Sequence, residues 1–298
     1  MHTSGSTATP QIAAHTLKNH WFSAQGSRQK IAVSPHDKWF LQLPLWHISG
    51  LSILFRSYFA QSKVVLSPLI PYTLASAVPT QIKRMLHSPP TLPHLRLMLV
   101  GGAPIPDFVY QAPWPIYTTY GLTEMSSQVA TNGEILPYRK VLIDKEGQIW
   151  TGGETLFQGY VQNQDTIIAP PVLFPTKDLG YIDKEGKLVV IGRKERLIFS
   201  GGEKIHPEDI EKILLTLPFV EKAAVVGIKD PEWGQKMVAF LEPCLPLETV
   251  KRDLLLKLAP HQIPCTILPY PPYMEGKPKY ADLETLAQKH AENGQFQE

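Results

Sequence analysis

Four stretches of the sequence concentrate residue types that can do chemistry. Near the start, Gly5 is flanked by Thr3, Ser4, Ser6 and Thr7, and backbone N–H groups with neighbouring hydroxyls can wrap phosphate oxygens. The run is not a GxxxxGK[ST] loop, and a Ser/Thr/Gly tract at a terminus also suits an unstructured tail. IYTTYGLTEMSSQ, from Ile116 to Gln128, places an aromatic ring at Tyr120, a hydroxyl at Thr123 and a carboxylate at Glu124. Such a trio can stack on a planar ring, bond a phosphate and hold Mg²⁺, which prefers carboxylate oxygen. GRKERLIFSGGEKIHPEDIE, from Gly192 to Glu211, joins a charged pivot to the pair Gly201-Gly202, whose backbone can take φ > 0 and lie close to a ligand. ILPYPPYMEGKPKY carries Lys277 and Lys279 in a proline-rich loop, where a surface lysine is the plain reading.

The elements that must position these residues are partly visible. KLVVIG suits a β-branched strand covered on both faces, and LIFS a second short strand. Pro207, Glu208 and Asp209 open a helix, proline in the first turn and acids at its positive end. Ile210, Ile213, Leu214 and Leu217 then follow at i, i+3, i+4, i+7. VEKAAVVGI and MVAFLEP read as strands, and ETVKRDLLLKL as a helix with Val250, Leu254, Leu255 and Leu258 on one side, which makes a compact α+β domain. Earlier in the chain, LRLMLVGGAP is a continuous apolar strand ending in Gly101-Gly102-Ala103, the pattern of a parallel strand whose C-terminal edge faces a ligand. WFLQLPLWHISGLSILFRSYF gives a buried strand, a break at Pro44 and an apolar helix from near Ser49. His47 on that apolar rim suits a satisfied structural histidine or a ligand contact. Arg56 is the only charge between Lys38 and Lys63, and either snorkels to the surface or pairs with a substrate carboxylate. Short alternating runs between Asn132 and Tyr160 indicate a β-rich part, and Asp178 suits a turn before a strand.

Bulk properties narrow the class. With 298 residues the chain is long enough for two domains. Lys+Arg 29 against Asp+Glu 27 gives a net charge of +2, and no basic cluster is dense enough to indicate nucleic acid as a partner. No apolar run approaches a membrane span and no signal pattern opens the chain, so a cytoplasmic protein acting on small molecules is expected. Cys244 and Cys265 are too few for a disulfide framework. Proline, at 28 residues, is about twice the ordinary ~5% and implies many short elements and rigid turns.

The stretch from Gly192 to Glu211 resembles the hinge and glycine-loop motif of the adenylate-forming enzymes, the acyl-CoA synthetase family, and Tyr120 to Glu124 completes that family's Tyr-Gly-x-Thr-Glu signature. The resemblance runs from Thr3 to about Lys277, in family order. AAHT, SAQG at Ser23 to Gly26, LPLWHISG and SAVPTQ at Ser76 to Gln81 narrow it to one branch of the family's CoA ligases. It implies ATP, Mg²⁺ and CoA as reaction partners, a carboxylic acid as substrate, and two half-reactions through an acyl-adenylate. Thr3, Ser4, Gly5, Ser6 and Thr7 would hold phosphates. Gly101, Gly102, Ala103, Tyr120, Gly121, Asp178 and Arg193 would complete the ATP site, with Asp178 and Arg193 on the ribose. Glu124 would hold Mg²⁺ beside Thr123, and Lys277 would reach the reacting carboxylate. His47, Arg56 and Ser126 would meet the acid, and Gly201-Gly202 would border the CoA channel. Glu195 would be the hinge pivot, where the family usually carries Asp or Lys.

The implied fold is α/β plus α+β: a truncated large adenylation domain over residues 1–193, then a small mobile C-terminal domain over 194–298. Three departures are expected to matter. Ala8 and Gln11 replace the glycine and lysine that typically end the phosphate loop, and the family's N-terminal subdomain does not precede Thr3. A separately encoded subdomain is therefore a possible partner. Without it, apolar surface should be exposed, the loop should fray, and activity should be impaired.

Overall fold

The computed structural model of the protein describes residues 1–3, 11–163, 166–274 and 278–293. The chain divides into two compact units, the first built mainly on residues up to Val190 and the second mainly on residues from Ile191 onward.

The first unit is organised on a seven-stranded sheet in the order Lys63–Val65, Lys38–Phe40, Leu74–Ala77, Leu97–Gly101, Ile116–Leu122, Ser127–Thr131 and Glu134–Ile135. The first five strands are mutually parallel and the last two join antiparallel. LMLV is buried throughout, as its unbroken apolar run requires of a central parallel strand. The helix Ile48–Ala60 begins after Pro44 with His47 as its N-cap. The helix Leu17–Ile31, capped by Thr16 with Asn19, turns Asn19, His20, Ser23, Gly26 and Ser27 inward. Its buried face is polar, so its sequence carries no apolar stripe. On the outer side of these two helices Leu17, Trp21 and Tyr58 are exposed along an apolar groove.

A four-stranded antiparallel sheet follows, in the order Leu188–Arg193, Leu173–Ile182, Gln148–Gly152, Lys140–Ile143. KLVVIG is therefore an edge strand, half-buried along most of its length rather than covered on both faces. Asp178 lies inside Leu173–Ile182, not in a turn before it. Gln148 pairs with Leu179 and Trp150 with Pro175, so 176–178 bulges, with Lys177 at φ 63. A third sheet pairs Ile12–Ala14, Gly159–Asn163 and Thr166–Ile168. His2 bridges Ile12 and the Thr3 N–H donates to the Gln11 carbonyl. The residues that flank the candidate phosphate loop are thus tied to each other, and the expectation of fraying falls on residues 4–10, outside those described.

In the second unit the strands Lys222–Asp230 and Gly234–Glu242 alternate between two covered faces. Val225, Ala239 and Leu241 pack with the helices Pro207–Thr216 and Leu247–Leu255. Val226, Val238 and Phe240 pack with the helix Tyr280–Glu292. Val250, Leu254 and Leu258 are buried at spacings of four, whereas Leu255 is 49% exposed. One residue past Leu254 is a turn of about 100° around the helix, which carries Leu255 off that stripe.

Candidate active site

Gly101 stands opposite Thr119 on the neighbouring parallel strand, so the ends of Leu97–Gly101 and Ile116–Leu122 lie side by side. A Cβ on Gly101 would press into Thr119, and Gly102 takes φ 81, so both positions need glycine. Gly102 and Ala103 are exposed at that strand end, beside Tyr120 and Gly121. The Tyr120 hydroxyl donates to Asp178 Oδ2 at 2.7 Å, bringing together two sequence-predicted residues 58 positions apart. Thr123 and Glu124 form a 3-10 turn. Glu124 Oε1 accepts from the Tyr160 hydroxyl at 2.6 Å, and the Thr123 carbonyl is 2.8 Å from His15 Nε2. A carbonyl only accepts, so that nitrogen carries the proton. Glu124 fits Mg²⁺: a half-exposed carboxylate steadied by a phenol is the hard oxygen donor this ion takes alongside phosphate oxygens.

Deeper in the first unit, Arg56 is 3% exposed and does not snorkel. Its Nη2 donates to Ser127 Oγ at 3.1 Å, its guanidinium lies 5.6 Å over the Trp39 ring, and its Nε is buried without a partner. Among the described residues it forms no ion pair. Burial accordingly pulls its pKa down to about 9. Ser126 is fully buried in the left-handed region at φ 54, and its hydroxyl donates to the Thr155 carbonyl. His47 Nδ1 caps its helix through Ser49.

In the second unit Glu195 is exposed within the 3-10 turn Lys194–Arg196. The Arg193 N–H donates to Glu208 Oε1 at 3.1 Å. Arg196 Nη1 donates to the same oxygen at 2.9 Å and Arg196 Nη2 to Glu211 Oε1 at 2.6 Å. The Tyr280 ring lies 3.5 Å from this guanidinium. Burial opposes the charge on Arg196, but Glu211, Tyr280 and Glu208 outweigh it and hold its pKa above the usual arginine range. Gly201 and Gly202 take φ 58 and 84, at the turn between Ile198–Ser200 and Glu203–Ile205. A Cβ at Gly201 would meet the half-exposed ring of Trp233.

The sequence matches the AMP-binding enzyme family over residues 1–142 and the AMP-binding enzyme C-terminal domain over 209–264. The 2-succinylbenzoate–CoA ligase of Bacillus licheniformis is 33% identical over 89% of this chain and 64% of its own length. The chain belongs to the AMP-binding enzyme family. Among solved members, the o-succinylbenzoate CoA synthetase (MenE) of Bacillus subtilis in complex with the acyl-adenylate intermediate OSB-AMP is 29% identical, with a TM-score of 0.84 over 95% of this chain and 68% of that one. An E. coli MenE with bound OSB-AMS is 30% identical, with a TM-score of 0.83 over 97% and 68%. The chain spans 58–65% of the length of curated relatives of this kind.

For this AMP-binding chain, Ser4, Gly5, Ser6, Thr7 and Lys277 lie outside the described residues. Thr3 is buried at the foot of the loop. Sequence reasoning gave no role to Tyr160, His15, Ser23, Ser127 or Arg139, although His15, Ser23 and Ser127 stand inside quoted motifs. Each acts on a residue far away in the chain, which a local run does not record.

Proposed function

We propose that the chain works as an ATP-dependent CoA ligase with o-succinylbenzoate as its acid. The observation that carries this reading is Arg56: a guanidinium taken out of water with no carboxylate beside it is costly unless a ligand supplies the anion. Its hydrogen bond to Ser127, three residues after the Tyr120 to Glu124 signature, and the 2-succinylbenzoate specificity of relatives about one-third identical favour an acid that offers a carboxylate to it. The other acids the scaffold could take are separated by assay.

In the first half-reaction a carboxylate oxygen attacks the α-phosphorus of ATP and pyrophosphate leaves. Mg²⁺ supplies charge neutralisation on the phosphates. Glu124 would hold the ion, with Tyr160 fixing its carboxylate. Tyr120 and Asp178 hold the nucleoside, with Arg193 on the ribose, and the glycine-terminated strand ending at Gly101 lets backbone approach it. Lys277 neutralises the reacting carboxylate, and Thr3 to Thr7 hold the phosphates. In the second half-reaction the CoA thiol attacks the acyl carbon and AMP leaves, with the thiol arm passing Gly201-Gly202. The domains are assigned as 1–193 and 194–298, with Glu195 as the pivot, because large φ/ψ changes concentrate at element ends. The reaction is placed in the cytoplasm, where ATP and CoA are available; no described helix is long and apolar enough to cross a membrane.

The test is pyrophosphate release and thioester formation by the purified chain with ATP, Mg²⁺, CoA and a panel of aromatic and aliphatic acids. Selective turnover of o-succinylbenzoate is expected, slower than that of a full-length relative assayed beside it. Turnover of a different acid would move the specificity, and absence of turnover with every acid would remove the ligase reading.

A further inference from the structure

Arg139 is a second buried cation in the first unit, 8% exposed. Its Nε donates to the Gln128 carbonyl at 2.9 Å. Nη1 donates to the Pro137 carbonyl at 2.7 Å, and Nη2 to the Ser23 carbonyl and the Ser23 hydroxyl, both at 3.1 Å. Gly26 leaves the room: a Cβ there would collide with Arg139 Nη1. Among the described residues Arg139, like Arg56, has no carboxylate partner. Two guanidinium charges thus sit in one interior; Arg139 is lowered to about 9 by burial first and by Arg56 second.

The two are linked by hydrogen bonds on either side of the Ser126–Ser127 backbone. The Ser23 hydroxyl accepts from Arg139 and must therefore direct its own proton elsewhere; it donates to the Ser126 carbonyl at 2.6 Å. Ser126 and Ser127 have φ of 54 and 105, conformations that a non-glycine residue keeps only when its surroundings hold it there. The Ser127 hydroxyl donates to Ser52 Oγ at 3.3 Å and accepts from Arg56 Nη2. A purely structural pin between the helix Leu17–Ile31 and the loop at Pro137 needs no positive charge. Burying that charge without a counterion carries a desolvation cost that neutral hydrogen-bonding groups would avoid.

We propose that Arg139 is a specificity-determining and positioning residue: through Ser23 and the Ser126–Ser127 turn it seats Arg56, and its charge makes the interior select acids that carry a second, non-reacting carboxylate. This rests on the reading that Arg56 receives a carboxylate of the acid. Arg139 itself does not touch the substrate, because its donors are occupied by backbone carbonyls and Ser23.

The experiment titrates the full 298-residue chain calorimetrically with o-succinylbenzoate and with its two monoacid counterparts, 4-oxo-4-phenylbutanoate and 2-butanoylbenzoate. The wild type is expected to prefer the diacid. Arg139→Gln should weaken about tenfold the binding of the diacid and of whichever monoacid keeps the carboxylate that Arg56 receives, while leaving the other monoacid and ATP within about twofold. Ser23→Ala, a smaller change that leaves the carbonyl bonds of Arg139 in place, should weaken the diacid severalfold in the same selective way. Equal weakening of all three acids would mean a structural pin and overturn the proposal, as would an undiminished diacid preference in Arg139→Gln. Should Arg139→Gln not fold, Ser23→Ala decides: unchanged diacid binding overturns the proposal. A wild type that binds ATP but shows no diacid preference would instead sink the acid-site reading itself.

Discussion

Arg196 and Arg56 are both arginines taken almost wholly out of water, and they are treated in opposite ways. In the second unit Arg196 is enclosed by Glu208, Glu211 and the Tyr280 ring, so its charge is cancelled within the fold. In the first unit Arg56 has a serine hydroxyl and a tryptophan face, and the nearby Arg139 adds charge of the same sign. A neutralised cation ties elements together: Arg196 links the turn Lys194–Arg196 to the helices Pro207–Thr216 and Tyr280–Glu292. A cation left without a counterion weakens the empty fold and strengthens the bound one, and that asymmetry is the physical signature of a receptor for an anion.

The comparison can be broken most directly at Glu211. Glu211→Ala leaves Arg196 buried with half of its compensation gone, and should destabilise the second unit by about 3–5 kcal/mol, read as a drop in its urea midpoint. The mirror experiment, Arg56→Met, should leave stability unchanged or raise it by about 1 kcal/mol. It should also weaken o-succinylbenzoate binding about 100-fold. A loss of stability comparable to that of Glu211→Ala would show that Arg56 is structural after all.

Acid sharpens the contrast within the first unit. His20 is stacked between His15 and Phe55, and burial first, then the adjacent His15, lower its pKa from 6.5 to about 4. The unfolded chain therefore binds a proton before the folded one as pH falls from 6.5 to about 4. Stability should drop over that window by about 2 kcal/mol, and His20→Phe should flatten the drop. The smallest expected effect is at Tyr160. Tyr160→Phe frees the Glu124 carboxylate from its 2.6 Å hydrogen bond and should cost about 1 kcal/mol, read as a severalfold rise in the Mg²⁺ concentration needed for half-maximal adenylation.

Legibility in the sequence followed from how local each signal was. The strand Leu97–Gly101, the helix Pro207–Thr216 and the paired strands Lys222–Asp230 and Gly234–Glu242 were readable, because burial on both faces or a 3.6-residue stripe writes itself into consecutive residues. The helix Leu17–Ile31 was not, because its inward face is made of Asn, His, Ser and Gly that serve partners elsewhere. KLVVIG was misjudged for a related reason: β-branched residues fit an edge strand as well as a central one, and only the pairing order tells which.

By itself the sequence determined the strand-rich second unit, the φ > 0 turn at Gly201-Gly202 and the family signature around Tyr120. These are properties of short runs whose local conformation and composition decide the outcome. What each buried charge is for was decided only by the tertiary structure. Arg56 and Arg196 are indistinguishable as letters, and their meaning depends on whether a carboxylate from another element arrives beside them. Ser127 reaches Arg56 across 71 residues and Glu211 reaches Arg196 across 15. Coulomb energy and desolvation depend on distance in space, which chain position does not encode.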